Sequence, residues 1–430
     1  MNKEREKVFL VGVVWEGESK DHFEDSMNEL RHLAKTADVD VIDSFVQALK
    51  RPNTGTYVGK GKLQEIANLA KSKHVHTLIF NNNLSPSQSR NISDVTRCNV
   101  VDRTEIILDI FAKHARTRQA KMQVELAQLE YAYTKLKRLW KHLSRIQGGI
   151  GFRGPGETQI EVDRREIRKK IQILKTRLKD IETTTRTKRK KRQNIIAVSL
   201  VGYTNAGKST LFNKLTKENL YTADQLFATL DSTTRTIPLD IENKLVITDT
   251  IGFIRKLPHK LISSFHSTLL DVIEADLLLH VVDISHPNVL ELMESVESVL
   301  DEIKVNNKNI LAVFNKIDLA SGTHFKFIKK KMLADYPDSV FISAKSGEGI
   351  SELRTKIMEF VNNQNSIIEL KVPIDLPNLI AFIRKNAEVI DEKQNLKENI
   401  LVMQLKISRQ LLPDIKKQID KYNLIKYINK

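Results

Sequence analysis

At 430 residues the chain is too long for one ordinary core, and roughly two to four domains are expected. Apolar residues make up 41% and charged residues 28%, and the longest apolar runs, Val8–Trp15 and Leu277–Val282, fall short of the roughly 18–20 residues that span a bilayer, so stable membrane insertion is excluded. One cysteine, Cys98, rules out an internal disulfide or a multi-cysteine metal site and reads as a small buried hydrophobe of a reducing cytoplasm.

No signal peptide is expected, because Met1–Lys7 is polar and the run after it lacks a small-residue cleavage site. The net charge of +16 is concentrated. Residues 113–192 hold 24 Lys and Arg against 8 Asp and Glu, which is the whole surplus. Such an excess attracts polyanions by neutralising phosphates and releasing their counterions, so RNA is the expected partner, with peripheral contact to an anionic membrane a weaker reading.

In chain order, residues 1–118 alternate short apolar runs (VFLVGVVW, DVDVIDSFVQ, HTLIFNN, NVVD) with helical patterns, which predicts an N-terminal α/β domain. The glycines of TYVGKGK, Gly59 and Gly61, read as a helix-start turn. Residues 119–192 form a second unit. Met122, Leu126, Leu129, Tyr133, Leu136, Trp140 and Leu143 keep one helix face apolar, and Ile167, Ile171, Leu174, Leu178 and Ile181 repeat the seam. Two seamed basic helices predict an antiparallel hairpin, closed by the charged run Arg186–Arg192. Its tip, GGIGFRGPGE, contains a G-x-G-x-x-G string at Gly149, Gly151 and Gly154. No strand precedes the string, so it reads as a compact turn that approaches RNA, with Phe152 stacking on a base and Arg153 supplying charge.

Residues 193–364 predict a parallel α/β domain and 365–430 a small α+β domain built from IIELKVPI, a helix NLIAFIRKNAEVI, NILVMQLKI and a helix LLPDIKKQIDKY. In the former, the apolar strand Ile195–Val201 runs into Gly202, Tyr203, Thr204, Asn205, Ala206, Gly207, Lys208, Ser209 and Thr210, a G-x-x-x-x-G-K-S loop opening a helix. Its backbone N–H groups cradle a β-phosphate, Lys208 reaches the β- and γ-phosphates, and Ser209 is placed to ligate Mg²⁺. Asp249-Thr250-Ile251-Gly252 ends a strand, where Asp249 holds Mg²⁺ through water and the Gly252 N–H meets the γ-phosphate. Asn315-Lys316-Ile317-Asp318 and Ser343-Ala344-Lys345 follow in order; the Asp318 carboxylate accepts two hydrogen bonds from guanine, and the Ala344 N–H would meet the guanine oxygen.

The switch threonine that completes the Mg²⁺ shell lies among Thr229, Thr233, Thr234 and Thr236. Thr229 is chosen because it stands 20 residues past Ser209. Lys208, Thr229 and Gly252 are thus the expected catalytic contacts to the reacting phosphate. Where a water-orienting glutamine commonly follows Gly252, the chain has Phe253, so intrinsic hydrolysis should be slow. Asn205 either braces the loop or helps to bind K⁺ between the phosphates.

These motifs resemble the Ras-like GTPases. With GGIGFRGPGETQIEVDRR, GYTNAGKSTLFN, FATLDSTTR and DTIGFIRKLPHKLISSF, the whole chain resembles the HflX-type GTPases. The resemblance implies GTP and GDP as ligands, with Phe227, Ala228, Thr229, Leu230 and Asp231 joining the nucleotide site and Ser209 and Thr229 holding Mg²⁺. It also implies a stress-linked factor that binds the large ribosomal subunit and its RNA, and that separates subunits or rescues stalled and dormant ribosomes; a monomer is expected. Ser232 stands where the family often has proline, which should loosen the switch slightly. A competing reading is an ATP-dependent RNA-remodelling enzyme that uses Gly149–Gly154 as a nucleotide site. A GTPase of transfer RNA modification is disfavoured by the lone thiol.

Overall fold

The computed structural model describes residues 5–146, 155–190, 195–217, 226–227, 231–238, 244–255, 266–305, 308–395, 398–408 and 428–429. In the N-terminal part, β1 (Lys7–Trp15), β2 (Asp40–Leu49), β3 (Thr77–Phe80) and β4 (Asn99–Asp102) form a parallel sheet in the order β2-β1-β3-β4. The two-residue period of a strand divides β1 between two cores. Val8 and Leu10 pack with helices α1 (Lys20–Thr36) and α4 (Arg103–His114), whereas Phe9, Val11 and Val13 pack with α2 (Lys60–Ser72) and α3 (Pro86–Thr96). Gly59 is the N-cap of α2 and donates its N–H to Gln47 Oε1 at 2.8 Å, which makes it a turn residue. Cys98 is buried with its sulfur 3.6 Å from the Val75 carbonyl, and burial pushes its thiol pKa up.

Helices α5 (Arg118–Ile146) and α6 (Pro155–Lys190) form the basic arm. Met122 and Leu126 pack against Leu174 and Leu178, Lys175 pairs with Glu130, and Arg168 donates to the Tyr133 hydroxyl. Contacts that move down one helix as they move up the other define an antiparallel hairpin. The side chains of Leu136, Trp140 and Leu143, and the tip residues Gly149, Gly151, Phe152, Arg153 and Gly154, lie outside the described residues. The element before the tip is a helix, so the strand that a dinucleotide fingerprint requires is missing from its place. At its base the arm is held by polar contacts: Tyr131 donates to Asp102 Oδ2 at 2.5 Å, and Lys135 lies 3.1 Å from Asp102 and 2.7 Å from Glu105.

The central sheet runs β10-β9-β8-β5-β7-β6, from β5 (Ile196–Val201), β6 (Thr233–Pro238), β7 (Lys244–Asp249), β8 (Leu277–Asp283), β9 (Asn309–Asn315) and β10 (Val340–Phe341). Edge strand β6 is antiparallel to β7, and the other described pairs are parallel. Helices α7 (Lys208–Thr216), α8 (His266–Ile273), α9 (Val289–Glu302), α10 (Gly322–Asp335) and α11 (Ile350–Asn363) alternate with the strands. This winding gathers the loops after β5, β7, β8, β9 and β10 at the carboxyl edge of the sheet, where open α/β sheets bind ligands.

The C-terminal sheet is antiparallel, with order β12-β13-β11-β14, from β11 (Asn365–Pro373), β12 (Glu388–Asn395), β13 (Ile400–Ser408) and β14 (Ile428–Asn429). The helix expected over NLIAFIRKNAEVI ends earlier, as α12 (Pro377–Asn386). Glu388 onward pairs with β13 instead, because a short apolar run takes the structure that its partner strand offers. The helix expected over LLPDIKKQIDKY lies outside the described residues. No described helix is long and apolar enough to cross a membrane.

Leu178 is buried in the arm seam, so Leu178→Ala should cost about 2–4 kcal/mol of local stability. Amide exchange should then accelerate in α5 and α6 and stay unchanged in the central sheet; equal acceleration in both would contradict a seam whose contacts are confined to the two arm helices.

Candidate functional site

The loop from Gly202 to Gly207 needs glycine at both ends. At Gly202 (φ +150°) a Cβ would fall 2.2 Å from the Val281 carbonyl oxygen, and at Gly207 (φ +94°) it would fall 2.2 Å from Asn315 Nδ2. Asn205 adopts the left-handed conformation at φ 61° and is exposed at the loop crest. The loop empties into the N-terminus of α7, so its backbone donors and the helix dipole face one point.

Asn315 ties the motifs together. Its Nδ2 donates to the Ala206 carbonyl at 2.8 Å, and its Oδ1 accepts the Ala344 N–H at 2.9 Å. The Ala344 N–H, expected on the guanine oxygen, therefore has a protein partner in this structure. Lys316 (φ 66°) turns its ammonium to Asp283 at 2.7 Å, and Ile317 takes its place in the sheet edge through the Ile342 carbonyl at 3.3 Å. Asp318 and Lys345 are exposed beside this braced corner, while Ser343 is buried and accepts the Ser346 N–H at 3.1 Å.

At the phosphate end, Lys208 is buried and its Nζ donates to the carbonyls of Gly202 at 3.2 Å and Tyr203 at 2.7 Å. Burial pushes its pKa down to about 8, against the opposing pull of Asp249. His280 is buried nearby on β8; burial and the Lys208 charge hold its pKa near 4, so it is neutral at physiological pH. Ser209 Oγ lies 2.6 Å from Asp249 Oδ2, and Asp249 is fully buried at the end of β7. A hydroxyl and a carboxylate converging there suit Mg²⁺, a hard cation that uses few protein oxygens and completes its shell with water and phosphate. Among the described residues there is no cluster of three or more His, Cys, Asp and Glu. Thr250 donates to the Leu200 carbonyl at 2.5 Å, and the Thr204 hydroxyl is buried with no hydrogen-bond partner.

The switch segments turn toward the N-terminal domain. Phe227 is buried, with its ring edge-on to Phe111 at 4.6 Å, and joins Leu226, Ile251 and Ile254 in the core of α1 and α4. Asp231 accepts the N–H groups of Arg116 and Thr117, at 3.0 and 3.2 Å, and the Thr117 hydroxyl at 2.6 Å. Ser232, expected to loosen the switch, donates to Asp271 at 2.8 Å and fastens it. Ala228, Thr229 and Leu230 lie outside the described residues. Of the other candidate threonines, Thr233, Thr234 and Thr236 belong to β6, and the Thr234 hydroxyl is 3.1 Å from that of Thr248. Phe253 is buried among Val201, Leu269, Val272 and Leu278, away from solvent.

The sequence reading missed the N-terminal residues that touch this site. Glu29 of α1 hydrogen-bonds the Tyr203 hydroxyl and pairs with buried Arg103; His22 reaches Glu291, and Asp25 reaches Asn288. Their only trace in the sequence is a polar stripe at His22, Asp25 and Glu29 on one face of a helix, which also fits a solvated surface.

A strand, phosphate loop and helix, followed by a buried carboxylate, a guanine-type N-K-x-D corner and an S-A-K turn, define a P-loop GTPase of the Ras-like class. Residues 24–112 match the family model described as GTP-binding GTPase N-terminal, 114–192 that described as GTP-binding GTPase Middle Region, and 197–316 that described as 50S ribosome-binding GTPase. The GTPase HflX of Flavobacterium psychrophilum is 42% identical over 375 residues, covering 83% of this chain and 90% of that protein. GTPase HflX of Escherichia coli is 42% identical over 370 residues, covering 86% of each, and that of Lacrimispora saccharolytica is 40% identical over 420 residues, covering 97% of each. The chain belongs to the HflX family of GTPases.

Since Lys208 titrates near 8 without a ligand, a phosphate beside it should raise its pKa and draw in a proton on binding. Nucleotide binding at pH 9 should therefore take up close to one proton, and at pH 6.5 none from this group. Calorimetry in buffers of different ionisation enthalpy reads this directly; a buffer-independent enthalpy at pH 9 would contradict it.

Proposed function

We propose that the protein hydrolyses GTP on the large ribosomal subunit and there splits or rescues stalled or dormant ribosomes under stress, as a cytoplasmic monomer. The observation that carries the GTP reading is the Asn315 brace, which ties the phosphate loop to the Ala344 turn through the protein's own atoms. Loops braced by the protein's own hydrogen bonds lose less conformational entropy on binding. In this reading the backbone N–H groups of Gly202–Thr210 cradle the phosphates, Asp318 accepts the two guanine donors, and Lys316, Ile317, Ser343, Ala344 and Lys345 shape the base pocket. Lys208 leaves its two carbonyls to neutralise the β- and γ-phosphates, and the Gly252 N–H meets the γ-phosphate.

Ser209, Thr229 and, through water, Asp249 would hold Mg²⁺, which when bound neutralises charge on the β- and γ-phosphate oxygens. Asn205, exposed at the loop crest, is proposed to help hold K⁺ against the phosphates. Water attacks the γ-phosphorus and GDP leaves, but Phe253 sits in the hydrophobic core and has no group that orients the water. Hydrolysis therefore waits for an outside contribution. The source favoured here is the ribosome, because residues 113–192 carry the whole excess charge on a two-helix arm and residues 197–316 match a family described as ribosome-binding.

Purified large subunits should raise the GTPase rate by several orders of magnitude, in line with the roughly 10³–10⁵-fold effects of supplied activating groups in other GTPases. Replacing both Phe152 and Arg153 with alanine should weaken co-sedimentation with large subunits and leave GTP affinity within twofold. An unchanged rate with subunits would reject the ribosome as activator, and lost GTP affinity in the tip variant would return that loop to the nucleotide site. Exchanging KCl for NaCl should lower the rate if Asn205 serves K⁺, and leave it unchanged if Asn205 only braces the loop.

A further inference from the structure

Residues 202–204 and 253–255 are zipped together beside the phosphate loop. The Phe253 N–H donates to the Gly202 carbonyl at 3.1 Å, the Thr204 N–H donates to the Phe253 carbonyl at 2.7 Å, and the Arg255 N–H donates to the Tyr203 hydroxyl at 2.7 Å. The first two are backbone bonds that any sequence could make. The third depends on one side chain.

The Tyr203 hydroxyl is engaged by the N-terminal domain and by the 253–255 segment. Its hydroxyl accepts from Arg255 and donates to the Glu29 carboxylate of α1, and burial beside that carboxylate raises the phenol pKa well above its ordinary value, so the proton stays available. Glu29 is fixed in turn. It pairs with Arg103, which is fully buried and also donates to Asn81 Oδ1 at 2.9 Å. A carboxylate held this way is a rigid acceptor, and truncating a partner of such a buried pair is expensive.

The zip also sets the position of Gly252, the residue just before it. A Cβ on Gly252 would lie 2.9 Å from Lys208 Nζ and 2.8 Å from Thr204 Cγ2, so the switch backbone rests on the lysine ammonium. Lys208 meanwhile spends two of its donors on the Gly202 and Tyr203 carbonyls. In the site proposed above a γ-phosphate lies between the ammonium and the Gly252 N–H, so its entry has to part the two, and the zipped 253–255 segment opposes that movement. GDP has no γ-phosphate and does not require that movement.

We propose that Tyr203, held by Glu29 of the N-terminal domain, is a positioning residue that latches the Gly252–Arg255 segment onto the phosphate loop and thereby biases the site toward GDP over GTP. The inference rests on the assignment of the GTP site made above. The latch acts on the nucleotide only through Arg255 and Gly252; Tyr203 lends its backbone to the phosphate loop, while its hydroxyl is engaged by Glu29 and Arg255.

The test compares GDP with a non-hydrolysable GTP analogue on the full chain, by equilibrium binding of fluorescent derivatives with Mg²⁺. Tyr203→Phe keeps the ring and removes the hydroxyl. It should leave GDP affinity within twofold and raise analogue affinity about five- to tenfold, the scale of one buried hydrogen bond. Glu29→Gln, which weakens the acceptor without changing its shape, should shift the ratio in the same direction. The double variant should shift it no further than the larger single effect, because both changes open one latch. If one variant fails to fold, the other carries the same readout. An analogue-to-GDP ratio that stays within twofold of the parent, falls, or shifts additively overturns the proposal, as does an equal loss for both nucleotides, the mark of general disruption. Failure of the parent protein to bind either nucleotide would instead overturn the GTP-site assignment itself.

Discussion

The nucleotide corner depends on the Asn315 amide group. One side chain satisfies the Ala206 carbonyl of the phosphate loop and the Ala344 N–H of the S-A-K turn, so two loops from distant parts of the chain are fixed at one distance. Gly207 is the counterpart, since any Cβ there would strike Asn315 Nδ2. The loop carries little apolar surface with which to hold itself, and a buried amide with both partners in place is the economical way to keep such a backbone in order.

A second constraint lies outside the GTPase domain. Both segments assigned as nucleotide switches from their motifs are built into the N-terminal domain's surface: Phe227 against Phe111, Asp231 on the backbone at Arg116 and Thr117, and Ile251 and Ile254 in the core that α1 and α4 share. An edge-to-face aromatic pair adds about 0.5–1.5 kcal/mol beyond the area it buries. The Arg103–Glu29 pair contributes less by net stability than by geometry, because desolvating both charges offsets much of their attraction. Arg103 also directly follows Asp102, on which Tyr131 and Lys135 of the arm converge. The base of the basic arm and the segment after Gly252 are thus joined by one run of polar contacts, with every distance set inside the protein.

Much of this was legible from the chain alone. The phosphate loop, the N-K-x-D and S-A-K motifs and the two helical seams are local patterns whose chemistry follows from residue type and spacing, and the alternation of strands and helices announced two α/β units, with a parallel arrangement expected for the second. The hairpin's antiparallel sense followed from seam and short connector. Less could be read where a short apolar segment has two partners to choose from: Ala387–Ile390 continued the helical period of α12, yet β13 offered it a strand edge. Ser232 illustrates the same limit, since its effect on the switch depends on Asp271, whose proximity no local pattern encodes.

The sequence by itself determined the reaction class, because phosphate and guanine recognition use contiguous motifs whose donors and acceptors are fixed by covalent neighbours. Tertiary structure alone decided what Tyr203, Glu29, Arg103 and Asp231 do. Each is an ordinary polar residue in the sequence, and each acquires its role from a partner more than 70 positions away, brought within hydrogen-bond reach where the switch segments pack into the core of α1 and α4.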